Sequence, residues 1–257
     1  MEIRGKVAIV TGGGSGIGAG AAKRFMQEGA RGVVVSDLNL ENAQRVAKDI
    51  GAVAIKCDVS REPEIQQLVA QTKDRFDQVD IYFSNAGILG TPGDIGLDND
   101  LWQKMWEVHG MAHIWAARAV IPGMVERGEG YFLITASAAG LLNIVESPPY
   151  GVTKHAAVAI AEWLRIAYGR RGVRVSCLCP QSVATAMTAQ GTGSAGLDGV
   201  LTTEQVAEDI VRVMREEKFL VLPHPEVAKY FQNKGQDYDR WLGGMQKLYA
   251  RHMGAKG

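Results

Sequence analysis

The run K-V-A-I-V-T-G-G-G-S-G-I-G, residues 6–18, carries the strongest structural signal in the chain. Its first six residues form a short β-branched segment, which predicts a buried strand. A helical pattern follows over residues 17–28 and stops at Gly29. Strand, glycine loop and helix in this order are typical of a dinucleotide site, because the free N–H groups at the start of the helix attract phosphate.

Three glycines of this loop have separate expected tasks. Gly12 permits the tight turn, Gly16 lets the backbone approach a pyrophosphate, and Gly18 allows the helix to pack closely on the strand. Their spacing differs from the usual G-x-G-x-x-G. No Lys-Ser/Thr pair follows, so a nucleoside-triphosphate P-loop is not indicated.

Strand-like and helix-like segments alternate through the rest of the chain. The predicted strands are 6–11, 32–36, 53–56, 79–84, 131–136, 173–178 and 219–222, and the predicted helices are 17–28, 39–50, 61–76, 99–127, 149–170 and 202–217. This alternation predicts an α/β fold, a single Rossmann-type, doubly wound parallel sheet of about seven strands flanked by helices. Ligand sites in such sheets lie at the C-terminal ends of the strands.

Asp37 stands at the end of the second predicted strand, about 20 residues beyond the glycines. A carboxylate there accepts hydrogen bonds from an adenosine ribose and repels a 2′-phosphate, which favours NAD over NADP as the cofactor. The alternative is that Asp37 caps the helix predicted over 39–50. Other polar or special residues also follow strands, namely Asp58, Asn85, Ser137 and Pro180.

Tyr150 and Lys154 lie four residues apart in a predicted helix, with Ser147 suited to its N-cap and Pro148 and Pro149 to its first turn. Side chains at this spacing share a face, roughly 5–6 Å apart. A neighbouring ammonium favours the phenolate, so Tyr150 can exchange a proton with a substrate oxygen. The pair alone is also typical of a solvated helix face, and only its context favours chemistry.

Length, charge and cysteine usage bound the class of protein. The 257 residues suit one large domain, 1–257, and the 28 acidic and 28 basic residues balance. This balance favours small-molecule partners over nucleic acid or an anionic membrane. The charged start and short apolar run predict neither a signal peptide nor a membrane span, so we expect a soluble, cytoplasmic protein. Buried, reduced thiols are expected for Cys57, Cys177 and Cys179.

Beyond Pro180 the pattern loosens. Residues 186–200 hold four glycines among small residues, which favours a mobile substrate lid over a disordered surface loop. Thr202 and Gln205 have capping-box spacing at the start of a helix. The remaining segment, 223–257, reads as a C-terminal tail whose aromatic residues dock on their own domain or on a neighbouring subunit.

Together these motifs resemble the short-chain dehydrogenase/reductase family over about residues 6–222. The matching positions are Thr11, Gly12, Gly16, Gly18, Asp58, Asn85-Ala86-Gly87, Ser137, Tyr150, Lys154, Pro180 and Thr185. The resemblance implies that Tyr150 is the general acid or base, that Lys154 lowers its pKa and bonds the nicotinamide ribose, and that Ser137 holds the substrate oxygen. It implies a cofactor site formed by Gly12, Ser15, Gly16, Ile17, Gly18, Asp37, Leu38, Asp58, Val59, Asn85, Ala86, Gly87, Tyr150, Lys154, Pro180, Val183 and Thr185.

Two positions depart from the family pattern. Val108-His109 stands where the family commonly has Val-Asn, an asparagine understood to hold a water that leads protons from the lysine to solvent. His109 either replaces it in that proton relay or is a packed helix histidine. His109 and His113 have the spacing of metal ligands but no third ligand is evident, so no metal site is predicted. Gln181 replaces the glycine that usually follows the proline.

The sequence therefore predicts an NAD-dependent oxidoreductase that interconverts a secondary alcohol and a ketone of partly apolar character. Its expected apolar walls are Leu141, Leu142, Ile144, Val145 and Met187. The alternatives are an NADP-linked carbonyl reductase of the 3-oxoacyl type and a non-catalytic dinucleotide-binding regulatory protein. The resemblance also implies a homodimer or homotetramer formed through the long helices, with Trp102 or Trp106 in the core, the pocket or the interface, and with close helix contacts at Ala156, Ala157, Ala159 and Ala161.

Overall fold

A computed structural model describes residues 1–189 and 191–254 of the chain. The strands are β1 (Val7–Thr11), β2 (Gly32–Asp37), β3 (Val53–Lys56), β4 (Ile81–Ser84), β5 (Gly130–Thr135), β6 (Val173–Leu178) and β7 (Leu220–Val221). The helices are α1 (Gly16–Gln27), α2 (Leu40–Ile50), α3 (Glu62–Phe76), α4 (Asn99–Trp106), α5 (Ala112–Arg127), α6 (Ala139–Leu142), α7 (Pro148–Tyr168), α8 (Thr203–Glu216), α9 (Glu226–Gln236) and α10 (Tyr238–Met253).

The strands pair in the order β3-β2-β1-β4-β5-β6-β7, and every pairing is parallel. The predicted doubly wound parallel sheet is therefore confirmed. Its central strands are buried on both faces, which explains why they read as apolar runs and not as alternating segments. Ile9 packs into the core on one face, while its neighbours Ala8 and Val10 pack into the core on the other.

The strand order reverses between β1 and β4, which leaves a crevice at their C-terminal ends. Gly12 follows β1 and Ala86 follows β4, and the two meet across this crevice, because a Cβ on Gly12 would lie 2.9 Å from the Ala86 Cα. Predicted site residues from separate parts of the chain are thereby brought to one edge of the sheet.

The predicted helix over 99–127 is not a continuous α-helix. A π-helical turn, Glu107–Met111, separates α4 from α5 and contains His109. Such a turn inserts an extra residue into the helical ladder, and π-turns are frequent at functional sites.

The predicted lid and tail are more ordered than the sequence suggested. The lid segment contains two 3₁₀ turns, Ala186–Thr188 and Gly193–Gly196, and the capping box of Thr202 and Gln205 forms at the start of α8 as predicted. Residues 226–253 of the C-terminal segment form α9 and α10, and Tyr230 and Trp241 pack against the core of their own domain, one of the two docking places expected for these aromatic residues. Residues 255–257 of that segment, and Gln190 of the lid, lie outside the described residues.

Two further sequence predictions concern the cysteine thiols and membrane helices. Cys57, Cys177 and Cys179 are buried free thiols, as expected. Within residues 1–189 and 191–254, no helix has the length and apolar character needed to cross a membrane.

Candidate active site

The glycine loop has the geometry expected of a phosphate cradle. Gly12 adopts a φ of 62°, a left-handed conformation that favours glycine. A Cβ on Gly18 would lie 2.2 Å from the Gly12 carbonyl oxygen, so only glycine lets α1 approach the turn this closely. Ser15 is exposed at the N-cap of α1 and its side chain makes no capping bond. Backbone N–H groups at Gly16, Ile17 and Gly18 begin the helix, where the dipole favours an anion.

Asp37 connects the end of β2 to the glycine loop. Its Oδ2 accepts a hydrogen bond from the Gly14 N–H at 2.9 Å, and its Oδ1 accepts one from the Asn39 N–H at 2.9 Å. The alternative that Asp37 caps α2 is wrong, because Asn39 is the N-cap and its side chain accepts from the Asn42 N–H. The carboxylate lies beside the loop, where it can also meet a ribose.

The neighbouring strand ends complete the expected adenine side of the site. Leu38 is 62% exposed, so its large apolar side chain is accessible to the adenine ring expected on this side. Asp58 accepts hydrogen bonds from the Ser60 N–H and hydroxyl at 2.9 and 2.7 Å, so its carboxylate shapes the turn after β3. Val59, the next residue, is partly exposed.

The side chain of Asn85 links neighbouring strand ends by hydrogen bonds. Its Nδ2 donates to the Thr11 carbonyl at 2.9 Å, and its Oδ1 accepts from the Thr135 hydroxyl at 2.9 Å. It thus ties β1 and β5 to the end of β4. Ala86 and Gly87 follow it, and Gly87 lies so close to the His109 ring that an added Cβ would stand 3.3 Å from Nε2.

Ser137, Tyr150 and Lys154 gather at the end of β5. Helix α7 begins at Pro148 after Ser147, as predicted, although the Ser147 side chain makes no capping bond. The Lys154 Nζ lies 5.6 Å from the centre of the Tyr150 ring and donates to the Thr135 carbonyl at 3.1 Å. Ser137 Oγ accepts from the Ala139 N–H at 3.1 Å and donates to the Pro180 carbonyl at 3.4 Å.

Burial controls the protonation of this pair in the cofactor-free chain. Loss of solvation raises the pKa of Tyr150, and the nearby Ser137 hydroxyl opposes this rise. Loss of solvation lowers the pKa of Lys154 to about 8. The Lys154 Nζ lies 5.6 Å from the centre of the Tyr150 ring, and the lowering of the Tyr150 pKa by this ammonium stays a prediction.

The hydrogen bonds of His109 fix its tautomer. Nε2 accepts from the Ile88 N–H at 3.1 Å, so the ring proton lies on Nδ1, which faces the Thr153 hydroxyl at 3.1 Å. That hydroxyl in turn donates to the Pro149 carbonyl at 2.8 Å. The ring also packs edge-on against Tyr150, with centroids 5.5 Å apart. Burial lowers the pKa of His109 well below its ordinary value, so the imidazole is neutral, saturated with hydrogen bonds and placed to orient Tyr150.

His113 lies one turn further along and does not join His109 in a metal site. Its Nδ1 shares a hydrogen bond with the Ser84 hydroxyl at 2.7 Å, and burial lowers its pKa to about 3. Across the described ranges, no group of three or more His, Cys, Asp or Glu side chains is arranged to hold a metal.

A cavity of about 580 Å³ opens beside Ser137. This is within the range of about 300–1,000 Å³ typical of small-molecule sites. Of the predicted apolar walls, Leu142 and Ile144 line it, whereas Leu141, Val145 and Met187 do not. Leu141 and Val145 are instead buried, and Met187 is 40% exposed. The sequence missed the opposite wall, formed by α9 and α10, because 223–257 was interpreted as a tail. It includes Tyr230, Asn233, Trp241, Met245 and Leu248.

The segment after β6 approaches the glycine loop and the cavity together. Thr185 covers Gly16, where an added Cβ would lie 3.0 Å from the Thr185 Cγ2. Pro180 and Val183 are buried between these two points. Gln181 lines the cavity and donates to Asp198 at 2.9 Å, so the residue that replaces the family glycine faces the substrate side.

Comparison with known proteins gives concordant matches. The family model for short chain dehydrogenases matches residues 6–194. The chain is 34% identical over 250 residues to short chain aldehyde dehydrogenase 1 of Euphorbia lathyris, covering 95% of this chain and 86% of the relative. It is 34% identical over 236 residues to the mitochondrial borneol dehydrogenase of Lavandula x intermedia, covering 87% and 88%. A solved short-chain dehydrogenase/reductase from Burkholderia phymatum in complex with NAD is 26% identical, with a TM-score of 0.85 over 93% of this chain and 96% of that one.

Proposed function

The chain belongs to the short-chain dehydrogenase/reductase family, and on this premise we propose that it is an NAD-dependent oxidoreductase interconverting a secondary alcohol and a ketone of partly apolar character. The observation that carries the proposal is the grouping of Ser137, Tyr150 and Lys154 at the end of β5, where Ser137 also lines the cavity. The glycine loop fits a dinucleotide, because the absence of side chains at Gly12 and Gly18 lets the turn, the end of β4 and the start of α1 pack closely and leaves the N-terminus of α1 at the crevice.

When bound, the nicotinamide supplies or accepts the hydride, and the side chains manage position and protons. Tyr150 gives a proton to the carbonyl oxygen in reduction and takes it back in oxidation. Ser137 holds the same oxygen through its hydroxyl. Burial raises the pKa of Tyr150, which favours the protonated phenol that the reduction requires.

Lys154 has two proposed tasks. Its Nζ donates one hydrogen bond to the Thr135 carbonyl. The other N–H donors of the ammonium are then available to the hydroxyls of a ribose. Its charge also opposes the cost of forming a phenolate once water is excluded. With a pKa of about 8 it carries that charge at neutral pH and loses it in mildly alkaline solution.

His109 is proposed as a positioning residue and not as a proton relay. Both ring nitrogens are engaged, and the imidazole holds the backbone after Gly87 on one side and the start of α7 on the other. The edge-on contact with Tyr150 fixes the phenol between them.

Asp37 supports NAD as the preferred cofactor, because its negative charge stands where a 2′-phosphate of NADP would have to lie. The family relatives and the solved NAD complex support nicotinamide dependence in general. Measurement of kcat/KM with NAD and with NADP tests the preference, and a higher value with NADP contradicts the role given to Asp37.

Surface exposure on α7 and the state of the cysteines bear on assembly and location. A homodimer or homotetramer is supported by an exposed apolar stripe on α7 that includes Trp163 and Ile166, which are 61% and 80% exposed. A cytoplasmic location is supported by the buried free thiols.

The experiment that tests the proposed function compares the wild-type chain with Tyr150→Phe. NADH oxidation is followed by absorbance with a panel of cyclic and acyclic ketones, and NADH binding by fluorescence. We expect Tyr150→Phe to lose at least about 100-fold in turnover because the proton donor is gone, while NADH still binds. Turnover near the wild-type rate contradicts the acid–base assignment. Tight NADH binding by the wild type with no turnover of any ketone favours the regulatory alternative.

A further inference from the structure

The wall of the cavity opposite Ser137 is built by α10, and its lining side chains come from one face of that helix. Trp241, Gly244, Met245 and Leu248 line the cavity at successive spacings of three, one and three residues. This is the i, i+3, i+4, i+7 pattern of a helical face. The face offers an apolar surface to whatever occupies the cavity.

Three cations run along the edge of this apolar face. Arg240, Lys247 and Arg251 also line the cavity, at spacings of seven and four residues. Such spacings return to the same side of a helix, and eleven residues span about 16 Å. Within the parts of the chain that the structure covers, none of the three has a carboxylate within ion-pair distance.

The two carboxylates in the same lining are already engaged. Asp198 accepts hydrogen bonds from Gln181 Nε2 at 2.9 Å and from the Tyr230 hydroxyl at 3.0 Å. Asp237 caps α10 by accepting from the Arg240 N–H at 2.9 Å. The lining thus holds three cations and two acids, and each acid has a partner within the protein while the cationic side chains do not.

We propose that the substrate of this enzyme carries an anionic group, a carboxylate or a phosphate ester, attached to an apolar body. The apolar body lies against Trp241, Met245 and Leu248, the oxygen that reacts lies at Ser137, and the anion is bound by the cationic edge of α10. A guanidinium can bind either anion through two parallel hydrogen bonds, which a neutral alcohol cannot match. This inference rests on the proposed function and narrows its substrate class.

The test measures binding and not turnover, so it is independent of whether the right alcohol has been found. The probes are 4-cyclohexylbutanoate, its neutral primary amide and 4-cyclohexylbutyl phosphate, titrated by calorimetry into the complex of the full chain with NADH. We expect at least one of the two anions to bind about 10-fold or more tightly than the amide. The stronger of the two identifies the anion, and its advantage falls as salt concentration rises.

Variants then locate the site. Arg240→Gln, Lys247→Gln and Arg251→Gln change exposed side chains on one helix, and together they are expected to abolish the preference for the anion. Lys229→Gln is the matched control, an exposed cation on α9 outside the cavity lining, and it should leave the preference unchanged. Circular dichroism confirms that each variant folds.

Two results overturn the proposal. One is equal binding of all three probes by the wild-type complex, and the other is an anion preference that survives the triple substitution. Neither result bears on the proposed function, which fails separately if Tyr150→Phe retains turnover.

Discussion

At the scale of single residues, burial of the charged Lys154 side chain at the candidate active site lowers the free energy of unfolding. The residue is 3% exposed, and its ammonium donates a hydrogen bond to the Thr135 carbonyl. The pKa of about 8, against an ordinary value of 10.5, means that the folded chain disfavours the charged form. A shift of this size corresponds to about 3 kcal/mol of unfolding free energy at neutral pH.

Lys154→Met is therefore expected to abolish turnover and to raise the thermal unfolding midpoint of the cofactor-free chain by several degrees. The gain should shrink as pH rises. Wild-type Lys154 loses its proton near pH 8 when folded but only near 10.5 when unfolded, so wild-type stability increases through that window. Scanning calorimetry at about pH 7 and about pH 9.5 measures both effects. Lys104→Met, at an exposed position on α4, is the control.

His109 allows a relay role and a positioning role to be separated. Both nitrogens of the neutral ring are engaged with protein groups, Nε2 with the Ile88 N–H and Nδ1 with the Thr153 hydroxyl, so His109→Asn is expected to retain activity within a few fold and to keep the pH profile of kcat. His109→Phe leaves the Ile88 N–H without its acceptor and should lower kcat about 10-fold or more. Collapse of activity in His109→Asn would show that the imidazole is specifically needed, and a shift in the pH profile of kcat would contradict a purely positioning role.

At the scale of secondary-structure elements, the side chain of Glu146 connects the segment proposed as a lid, 186–200, to the chain just before α7. Glu146 lies just before α7, and its carboxylate accepts from the Ser194 N–H at 2.6 Å and from the Ser194 hydroxyl at 2.9 Å. The carbonyl of Glu146 also accepts from the Gly93 N–H at 2.9 Å. Glu146 thus provides a charge-assisted contact between this segment and the start of α7.

Glu146→Ala is expected to release the lid, because both acceptors are lost. The predicted result is an increase in KM of about 10-fold with a smaller change in kcat, and faster amide hydrogen exchange over residues 191–199. Glu162→Ala, at an exposed position on α7, is the control. Unchanged exchange over 191–199 would mean that other contacts hold the lid.

The elements that the sequence predicts correctly are those with local signals. The glycine loop needs residues of one type at fixed spacings, and the capping box of Thr202 and Gln205 is contained in four residues, so both could be found without tertiary information. The π-turn around His109 could not, because it depends on packing against α7 and the end of β4. The pKa of Tyr150 depends on burial, which no local pattern reveals.

The role of α10 had a signal that the sequence interpretation left unused. Trp241, Met245 and Leu248 repeat at helical spacing, and that periodicity predicts an apolar face. The aromatic residues of this segment were expected to dock on the domain or on a neighbouring subunit. Only the fold shows that the segment lines the cavity beside Ser137.

At the scale of the whole molecule, the outer surface of α7 carries a stripe of apolar side chains that a monomer leaves exposed to solvent. Val152, Ala156, Ala159, Trp163 and Ile166 repeat at alternating spacings of four and three residues, the pattern of a helix that packs against another helix. Val152 is 53% exposed, and Ala159 is exposed as well. The expectation that Ala157 and Ala161 belong to this contact is wrong, because both are fully buried in the core beneath α7.

A second copy of the chain is the partner that this stripe suits best, because two such stripes can meet about a two-fold axis with small residues at their centre. Ile166→Glu places a charge at the C-terminal end of the expected contact and should convert the oligomer to a monomer in light-scattering chromatography at micromolar concentration. Since Ile166 is 80% exposed, the substitution should leave the fold of the single chain intact. Gln71→Glu, at an exposed position on α3, adds the same single negative charge away from the stripe and serves as the control. A wild-type chain that elutes as a monomer removes the oligomer from the proposal, and an Ile166→Glu variant that keeps the wild-type mass moves the interface to another face. Because α7 also carries Tyr150 and Lys154, a monomeric variant with reduced kcat would show that the partner subunit stiffens the catalytic helix.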